Sequence, residues 1–264
     1  MSGNQRQKRV ARARELASEN PATADVLKLF VEIMSFGDGV QVLLEQTMKQ
    51  KRRGFGDPIG PEIAAKFPEF LKMIAAKGPK PIAEEAEKGG KLSDREREEW
   101  LNAFWTRPET SSALIAQQSF LARAFLQSYA ELVRERSGKQ LGSWTPRVCP
   151  FCLHKPGSGV LRPLGDGGQR FLVCSFCSGE WEFRRILCAG CGEENELKLP
   201  VYAAQEFDHV RVECCDSCRC YIKTVDLTRN GLADPMVDEI ASIPLDLWAQ
   251  GRGYTKLQTN LMML

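Results

Sequence analysis

The sequence predicts an α+β protein with an N-terminal helical domain, two tandem rubredoxin-like or zinc-ribbon modules and a short C-terminal helical segment. Three observations support this fold class. Residues 1–148 lack cysteine and place apolar residues at helical spacing, residues 149–218 contain four Cys-x-x-Cys pairs, and helical spacing returns after residue 236. The expected domains are residues 1–140 (helical), 147–187 and 188–230 (first and second ribbon) and 231–264 (C-terminal segment).

The first two predicted helices have recognisable starts. Asn20 precedes Pro21 as an N-cap does, and residues 26–34 are apolar on nearly all sides, which predicts a central helix. Ser93 and Glu96 have capping-box spacing. The helix that they open ends at Pro108, and its expected core residues are Trp100, Leu101, Phe104 and Trp105.

The rest of the helical domain is predicted from the same signals. A long helix is expected over about residues 110–138, with Glu131 and Arg134 on its solvated flank. Glycine and proline recur over residues 54–90, which predicts loops around one shorter helix at 68–77, and 138–146 are expected to form a linker. The basic residues 6–14 are typical of a solvated helix start rather than of a nucleic-acid-binding arm.

The cysteine pairs are the most specific feature of the sequence. Four pairs supply two complete tetrathiolate metal sites, because each pair presents two sulfurs from one tight knuckle. The gaps of 21 and 23 residues are close to the spacing of zinc or rubredoxin-type sites. The candidate ligands are Cys149 and Cys152, Cys174 and Cys177, Cys188 and Cys191, and Cys215 and Cys218.

The pairs repeat at offsets of 39 and 41 residues, so we expect the first pair to join the second and the third to join the fourth. Interleaved pairing, first with third, stays open. Cys214 and Cys220 flank the last knuckle and are expected to be bystanders. Both sites would bind iron or zinc, since tetrahedral sulfur ligands accept either metal.

Other uses of the cysteines fit less well. Disulfides require an oxidising compartment, but the N-terminus is basic and lacks the apolar core of a signal peptide, which argues against secretion. A thioredoxin-like redox centre needs one Cys-x-x-Cys in a βαβ setting. No run of eighteen apolar residues occurs, so we expect no membrane span.

Short strands and a final helical segment are expected around and after the knuckles. The helix at residues 236–251 should break near Pro244, and the tail at 257–264 should dock back on the protein. The strands are expected at residues 171–173, 181–183, 210–212 and 221–226.

Charge and residue content narrow the function. The formal charge of +2 becomes about −2 when eight thiolates hold two divalent ions, which weakens any nucleic-acid interpretation. No catalytic constellation stands out, so we expect no enzyme activity. Basic residues surround the knuckles, and we expect them to compensate thiolate charge, with partner contact as the alternative. These are Arg170, Arg184, Arg185, Arg211, Arg219 and Lys223.

The ribbon half resembles the FdhE-type accessory proteins of formate dehydrogenase. The resemblance spans about residues 145–256 and rests on several motifs in order. They are Cys149-Pro150-Phe151-Cys152, Arg170-Phe171-Leu172-Val173-Cys174-Ser175-Phe176-Cys177 with Glu180-Trp181, Cys188-Ala189-Gly190-Cys191-Gly192, Cys215-Asp216-Ser217-Cys218, Tyr221-Ile222-Lys223-Thr224-Val225-Asp226, and Leu245-Asp246-Leu247 to Gly253-Tyr254.

This resemblance implies a cytoplasmic, non-catalytic maturation factor that acts on the catalytic subunit of a respiratory formate dehydrogenase. It also implies two rubredoxin-like modules able to bind iron. The sequence departs from the usual knuckle, in which glycine follows the second cysteine and adopts a positive φ. Only Gly192 does so, whereas Leu153, Ser178 and Arg219 occupy the other three positions. A rubredoxin-like electron carrier and a nucleic-acid-binding zinc ribbon remain alternatives.

Overall fold

The computed structural model of the chain describes residues 3–47, 54–106, 114–138, 146–165 and 167–263. Within these residues the helices are α1 (Gly3–Glu19), α2 (Ala24–Thr47), α3 (Pro61–Ala64), α4 (Phe67–Lys77), α5 (Lys80–Gly90), α6 (Asp94–Thr106), α7 (Ala116–Arg136), α8 (Val237–Ala241) and α9 (Ile243–Gly251). The strands are β1 (Pro156–Leu164), β2 (Gly167–Cys174), β3 (Glu180–Glu182), β4 (Val201–Ala203), β5 (Val210–Cys214), β6 (Cys220–Asp226) and β7 (Thr255–Lys256). The mixed α+β class predicted from the sequence is confirmed.

The described residues form two compact units, one within residues 29–138 and the other within 2–28 and 139–264. The first unit is helical. Its core is aromatic, with the rings of Phe67 and Trp100 5.1 Å apart and those of Phe67 and Phe125 5.0 Å apart. The expected capping box is confirmed, because Ser93 N donates to Glu96 Oε2 at 2.8 Å and Glu96 N donates to Ser93 Oγ at 3.3 Å.

Two expectations for the helical unit were wrong. Residues 80–90 form α5 rather than a loop, since Pro81 lies in the first turn, where its missing N–H costs nothing. Glu131 was expected on a solvated flank but is 0% exposed on α7. The long helix begins at Ala116, later than the expected start near residue 110, because Ile115 is its extended N-cap residue. The expected helix end at Pro108 and most of the expected linker lie outside the described residues.

The second unit contains one continuous sheet with the order β3-β2-β1-β6-β5-β4, and β7 pairs with β6. The strands of each ribbon pair antiparallel within the ribbon. A parallel pairing of β1 with β6, from Gly159 opposite Thr224 to Leu161 opposite Asp226, joins the two ribbons. The strands of the two tandem modules therefore belong to one continuous hydrogen-bonded sheet.

Glycine makes this junction possible. A Cβ at Gly159 would overlap the side chain of Thr224 on the neighbouring strand, and a Cβ at Gly157 would lie 3.1 Å from Ser175 Cα. Only glycine allows β1 to approach its neighbours this closely. The same glycines are typical of a loop, so β1 was not among the strands expected from the sequence.

Helix α1 belongs to the same unit as the sheet, and the expected solvated helix start is present, but two of its arginines are buried. Arg6 and Arg9 are 1% and 3% exposed. Arg9 Nε lies 3.3 Å from Asp234 Oδ1, and Arg12 NH2 lies 2.7 Å from Asp238 Oδ1. Arg9 and Arg12 therefore form internal ion pairs, whereas Lys8 and Arg14 are exposed.

The C-terminal segment follows its prediction. The one helix expected over residues 236–251 is divided into α8 and α9, and Pro244 lies in the first turn of α9. The tail returns to the protein, since Asn260 Nδ2 donates to Glu239 Oε2 at 2.7 Å. Among the described residues no helix combines the length and hydropathy that crossing a bilayer requires. The domain boundaries expected from the sequence stay a prediction.

Candidate metal centres

The first cluster joins the turn before β1 to the turn between β2 and β3. Cys149 Sγ lies 3.5 Å from Cys177 Sγ, and Cys152 Sγ lies 3.3 Å from Cys174 Sγ. All four sulfur atoms lie within 4.8 Å of one another. The structure thus brings the first and second cysteine pairs together.

The second cluster has the same construction one ribbon later. Cys188 and Cys191 lie in the turn after β3, and Cys215 and Cys218 lie between β5 and β6. The distances are 3.7 Å from Cys188 Sγ to Cys218 Sγ and 3.7 Å from Cys191 Sγ to Cys215 Sγ. These four sulfurs also lie within 4.8 Å of one another, so the third and fourth pairs meet.

Both clusters have dimensions that suit a metal ion. Metal–sulfur bonds of 2.3 Å in a tetrahedron place neighbouring sulfurs about 3.8 Å apart. The distances of 3.3–3.7 Å that join cysteines of different pairs approach this value. The donor set of four thiols is suitable for zinc or iron.

Each knuckle is closed by the same backbone hydrogen bonds. The N–H of its first cysteine donates to the carbonyl five residues later, at 2.8 Å for Cys149 and 2.9 Å for Cys188. Backbone N–H groups also point at sulfur, as Phe176 N does to Cys174 Sγ at 3.4 Å and Gly190 N to Cys188 Sγ at 3.3 Å. These donors stabilise negative charge on the sulfurs.

The residue after each knuckle has a positive φ at all four positions. The values are 64° at Leu153, 53° at Ser178, 84° at Gly192 and 57° at Arg219. The knuckle geometry is therefore kept where glycine is absent. The left-handed conformation costs the three non-glycine residues about 1–2 kcal/mol each. The backbone hydrogen bonds that close each knuckle offset this cost.

The two clusters differ in exposure. Cys149 and Cys177 are 0% exposed, and Cys174 is 2% exposed. In the second cluster Cys188 and Cys215 are buried, but Cys191 is exposed. Solvent and small molecules therefore reach the second cluster more readily than the first.

Burial and neighbouring N–H groups shift the pKa values of the thiols. Burial raises the pKa values of Cys174 and Cys177 well above that of an ordinary thiol. Burial also acts to raise the pKa of Cys188, but the N–H groups of Cys191 and Gly190 outweigh it and lower the pKa on balance. Burial likewise raises the pKa values of Cys215 and Cys218 in the second cluster, so a metal that binds at either cluster must displace protons from thiols.

Cys214 and Cys220 lie outside both four-sulfur groups. Cys214 packs in the apolar core with Val212 and Tyr221, and burial raises its pKa to about 12. Cys220 Sγ lies 3.6 Å from the carbonyl oxygen of Cys218. Neither residue contributes a sulfur to the candidate metal centres.

The basic residues near the knuckles have carboxylate partners, which the sequence did not reveal. Arg170 NH2 lies 2.6 Å from Glu213 Oε2, and Arg211 NH2 lies 2.5 Å from Asp226 Oδ2. Arg184 pairs with Glu194 at 2.9 Å, and Arg219 pairs with Asp216 at 2.9 Å. Their positive charges are therefore balanced mainly by these carboxylates rather than by the thiolates.

A buried ionic network behind the second cluster was also missed. Lys223 Nζ lies 2.6 Å from Asp246 Oδ2 and 3.3 Å from Glu239 Oε1. Lys256 pairs with the same two carboxylates, and Tyr221 OH donates to Asp246 Oδ1 at 2.7 Å. The sequence signal for this network was Lys223 in the middle of β6, between Ile222 and Val225. The network fastens β6, β7, α8 and α9 to one another.

Fold and clusters together define an α+β protein with two tetracysteine ribbons in one sheet. Family models match residues 148–185, described as "FdhE, central domain", and residues 186–263, described as "FdhE, C-terminal domain". A protein of Aquifex aeolicus strain VF5, named "Protein FdhE homolog", is 30% identical over 250 residues, covering 90% of this chain and 85% of its own. The chain belongs to the FdhE family.

Two further relatives extend over most of the chain. A "Protein FdhE homolog" of Haemophilus ducreyi strain 35000HP is 25% identical, and the match covers 96% of this chain and 87% of the relative. The crystal structure of the FdhE protein from Pseudomonas aeruginosa is similar with a TM-score of 0.69 and 23% identity, over 97% of this chain and 94% of that one. This structural likeness supports the fold.

Proposed function

We propose that this protein is a cytoplasmic, non-catalytic maturation factor for the catalytic subunit of a respiratory formate dehydrogenase. The observation that carries the proposal is membership in the FdhE family across 90% of the chain, combined with two four-cysteine clusters in the shared ribbon half. Its activity is binding: the helical unit and the sheet offer surfaces, and the clusters fix the shape of the sheet.

Each cluster holds one metal ion in this proposal. Cys149, Cys152, Cys174 and Cys177 bind the first ion. Cys188, Cys191, Cys215 and Cys218 bind the second. The sulfur distances and the N–H donors on sulfur support this assignment. Bound metal fixes the knuckles and so the strands that follow them, because ligand geometry and local folding are coupled.

The metal is identified by two measurements on protein purified without oxygen. Elemental analysis should give about two metal ions per chain, and a visible absorption spectrum separates iron from zinc, because zinc has no redox chemistry or d-electron bands. One equivalent or fewer in fully reduced protein would contradict the assignment.

The maturation role is tested in a strain that lacks the gene. We expect formate dehydrogenase subunits to be made there but to be inactive, and the wild-type gene to restore activity. A double substitution, Cys149→Ser with Cys152→Ser, should fail to restore it, whereas Cys220→Ser should succeed as the matched control. Normal formate oxidation in the deletion strain would reject the role.

One observation favours a second candidate, a rubredoxin-like electron carrier. Such a carrier needs an exposed edge of its cluster, and Cys191 provides one. Redox titration of the iron-loaded protein decides this case. A reversible one-electron couple that is lost on Cys191→Ser, together with normal formate dehydrogenase maturation in the deletion strain, would favour electron transfer.

A further inference from the structure

The far edge of the sheet from the first cluster is formed by β4. This strand is last in the sheet order, and only its β5 side is paired among the described residues. The carbonyl of Pro200 accepts from Cys214 N at 2.9 Å. Because hydrogen-bonded and non-hydrogen-bonded pairs alternate in antiparallel strands, Val201 and Ala203 direct their N–H and C=O groups away from β5.

These outward groups lie in an accessible, apolar setting. Val201 is 55% exposed, and Leu197, just before the strand, is 91% exposed. No acceptor or donor within the described residues meets the outward backbone groups of Val201 and Ala203. An exposed edge with unpaired backbone groups is a template for another strand.

A groove lies beside the same edge. It has a volume of about 510 Å³, and its lining includes Tyr202, Phe207, Leu245 and Trp248 together with the polar residues Asn20 and Glu206. The rings of Tyr202 and Trp248 are 4.7 Å apart. Side chains alternate across a strand, so a residue placed opposite Tyr202 by an added strand would enter this groove.

The chain segments before and after β4 are acidic, and one cation, Arg252, lies over the ring of Trp248 in the groove wall. Residues 192–209 contain Glu193, Glu194, Glu196, Glu206 and Asp208 but only one lysine, Lys198. Glu194 pairs with Arg184, whereas Glu196 and Glu206 are exposed and make no ion pair within the described residues. These two carboxylates flank β4, one before and one after it, which favours a positively charged occupant.

We propose that the edge-strand surface, defined as Val201, Tyr202, Ala203, the groove and the flanking Glu196 and Glu206, binds an extended, basic polypeptide segment by strand addition. Backbone hydrogen bonds to Val201 and Ala203 hold the segment. One apolar side chain occupies the groove, and basic side chains meet the two carboxylates. This inference rests on the proposed function in taking that segment from the formate dehydrogenase catalytic subunit.

The structure provides a substitution that blocks strand addition and keeps the fold. Ala203→Pro removes an N–H that already points outward, and proline is tolerated at such edge positions. The matched control is Glu182→Pro on β3, the opposite edge. Phe183 N donates to Arg170 O there, so the N–H of Glu182 also points outward. Glu206→Lys tests the charge, with Glu182→Lys as its control.

The probe is a fluorescent, end-blocked peptide in which arginine alternates with valine, and binding to the full metal-loaded chain is followed by fluorescence anisotropy. We expect Ala203→Pro and Glu206→Lys each to weaken binding by roughly tenfold or more, while both Glu182 variants bind like the wild type. Equal binding by Ala203→Pro, or equally tight binding of a glutamate–valine peptide, would overturn the proposal. Circular dichroism of each variant verifies folding.

Two further measurements separate the possible failures. If purified catalytic subunit binds the wild type and Ala203→Pro equally, the edge-strand surface is rejected while the maturation role stands. If the subunit binds neither, the proposed function fails and the peptide titration still decides the surface. If Ala203→Pro converts a dimer to a monomer in sedimentation without changing peptide binding, the occupant is a second copy, and the proposal is wrong.

Discussion

The two four-sulfur clusters are built on the same knuckle, but solvent reaches them to different extents. In the first cluster three sulfur-bearing residues are at most 2% exposed, whereas in the second Cys191 is exposed. The knuckle hydrogen bonds and positive φ values are alike in both. Local sequence therefore sets the cluster geometry, while the surrounding packing sets its accessibility.

The largest expected effect comes from removing a proposed ligand of the enclosed first cluster. Serine is a poorer metal ligand than cysteine, and water cannot take its place at the buried position 177. Metal binding in such sites contributes on the order of 10 kcal/mol to the free energy of folding. We therefore expect Cys177→Ser to unfold the second unit, which contains the sheet. Cys191→Ser should cause a clearly smaller loss, because water can complete that exposed site. Thermal unfolding with metal analysis would contradict the comparison if both variants were equally damaged.

The second cluster should depend on the buried network behind it. Glu239→Gln leaves Lys223 and Lys256 with one carboxylate, Asp246, and an uncompensated buried charge costs about 3–5 kcal/mol. Glu239 is 1% exposed, and the exposed Glu196→Gln is the matched control. Urea titration of both variants measures the free energy of unfolding. Faster metal release from the first cluster than from the second in Glu239→Gln would contradict this dependence.

Metal release should separate the two clusters kinetically. A colorimetric chelator added to the fully loaded wild type should remove one equivalent at least about tenfold faster than the other, since a transferable exposed ligand lowers the barrier by more than about 1.4 kcal/mol. Cys191→Ser should change the fast phase alone. A single phase of two equivalents would show that exposure does not control exchange.

The non-glycine knuckle positions offer a smaller test. Leu153 follows the first knuckle with φ 64° and is 65% exposed, so little burial is lost on substitution. Leu153→Gly should stabilise the loaded protein by at most about 1 kcal/mol, because relief of the left-handed strain exceeds the extra entropy of glycine. Gly192→Ala should destabilise it by a similar amount. Destabilisation by Leu153→Gly in a urea titration would contradict this account.

The smallest effect should come from His209, and its pH dependence opposes that of the clusters. The hydrogen bond to Asp238, 2.8 Å from Nε2, raises the pKa of His209 above its usual 6.5. Its stabilisation is therefore complete below pH 6.5 and is lost as pH rises through the raised pKa. Acid instead weakens thiolate ligation. His209→Gln should cost more stability at pH 6 than at pH 8.5, and the opposite order in denaturant titrations would be inconsistent with this pair.

Local patterns predicted much of this molecule. The Ser93–Glu96 capping box and the break at Pro244 each depend on residues within a few positions, and both are present. The grouping of the cysteine pairs followed from their repeat. Strand β1 was missed because its glycines resemble a loop, and the burial of Arg6 and Arg9 was missed because charge patterns favour solvent.

By itself the sequence determined the capped start of α6, the knuckles, their grouping into two four-sulfur sets and the family resemblance. Each of these is encoded by short spacings or by one repeat. Only the tertiary structure decided that β1 and β6 merge the ribbons into one sheet, that α1 pairs with Asp234 and Asp238, and that Cys191 is exposed. The strand pairing and the ion pairs depend on contacts between residues 60 or more positions apart, as Gly159 with Thr224 and Arg9 with Asp234 are. Those contacts leave no periodic signal along the chain.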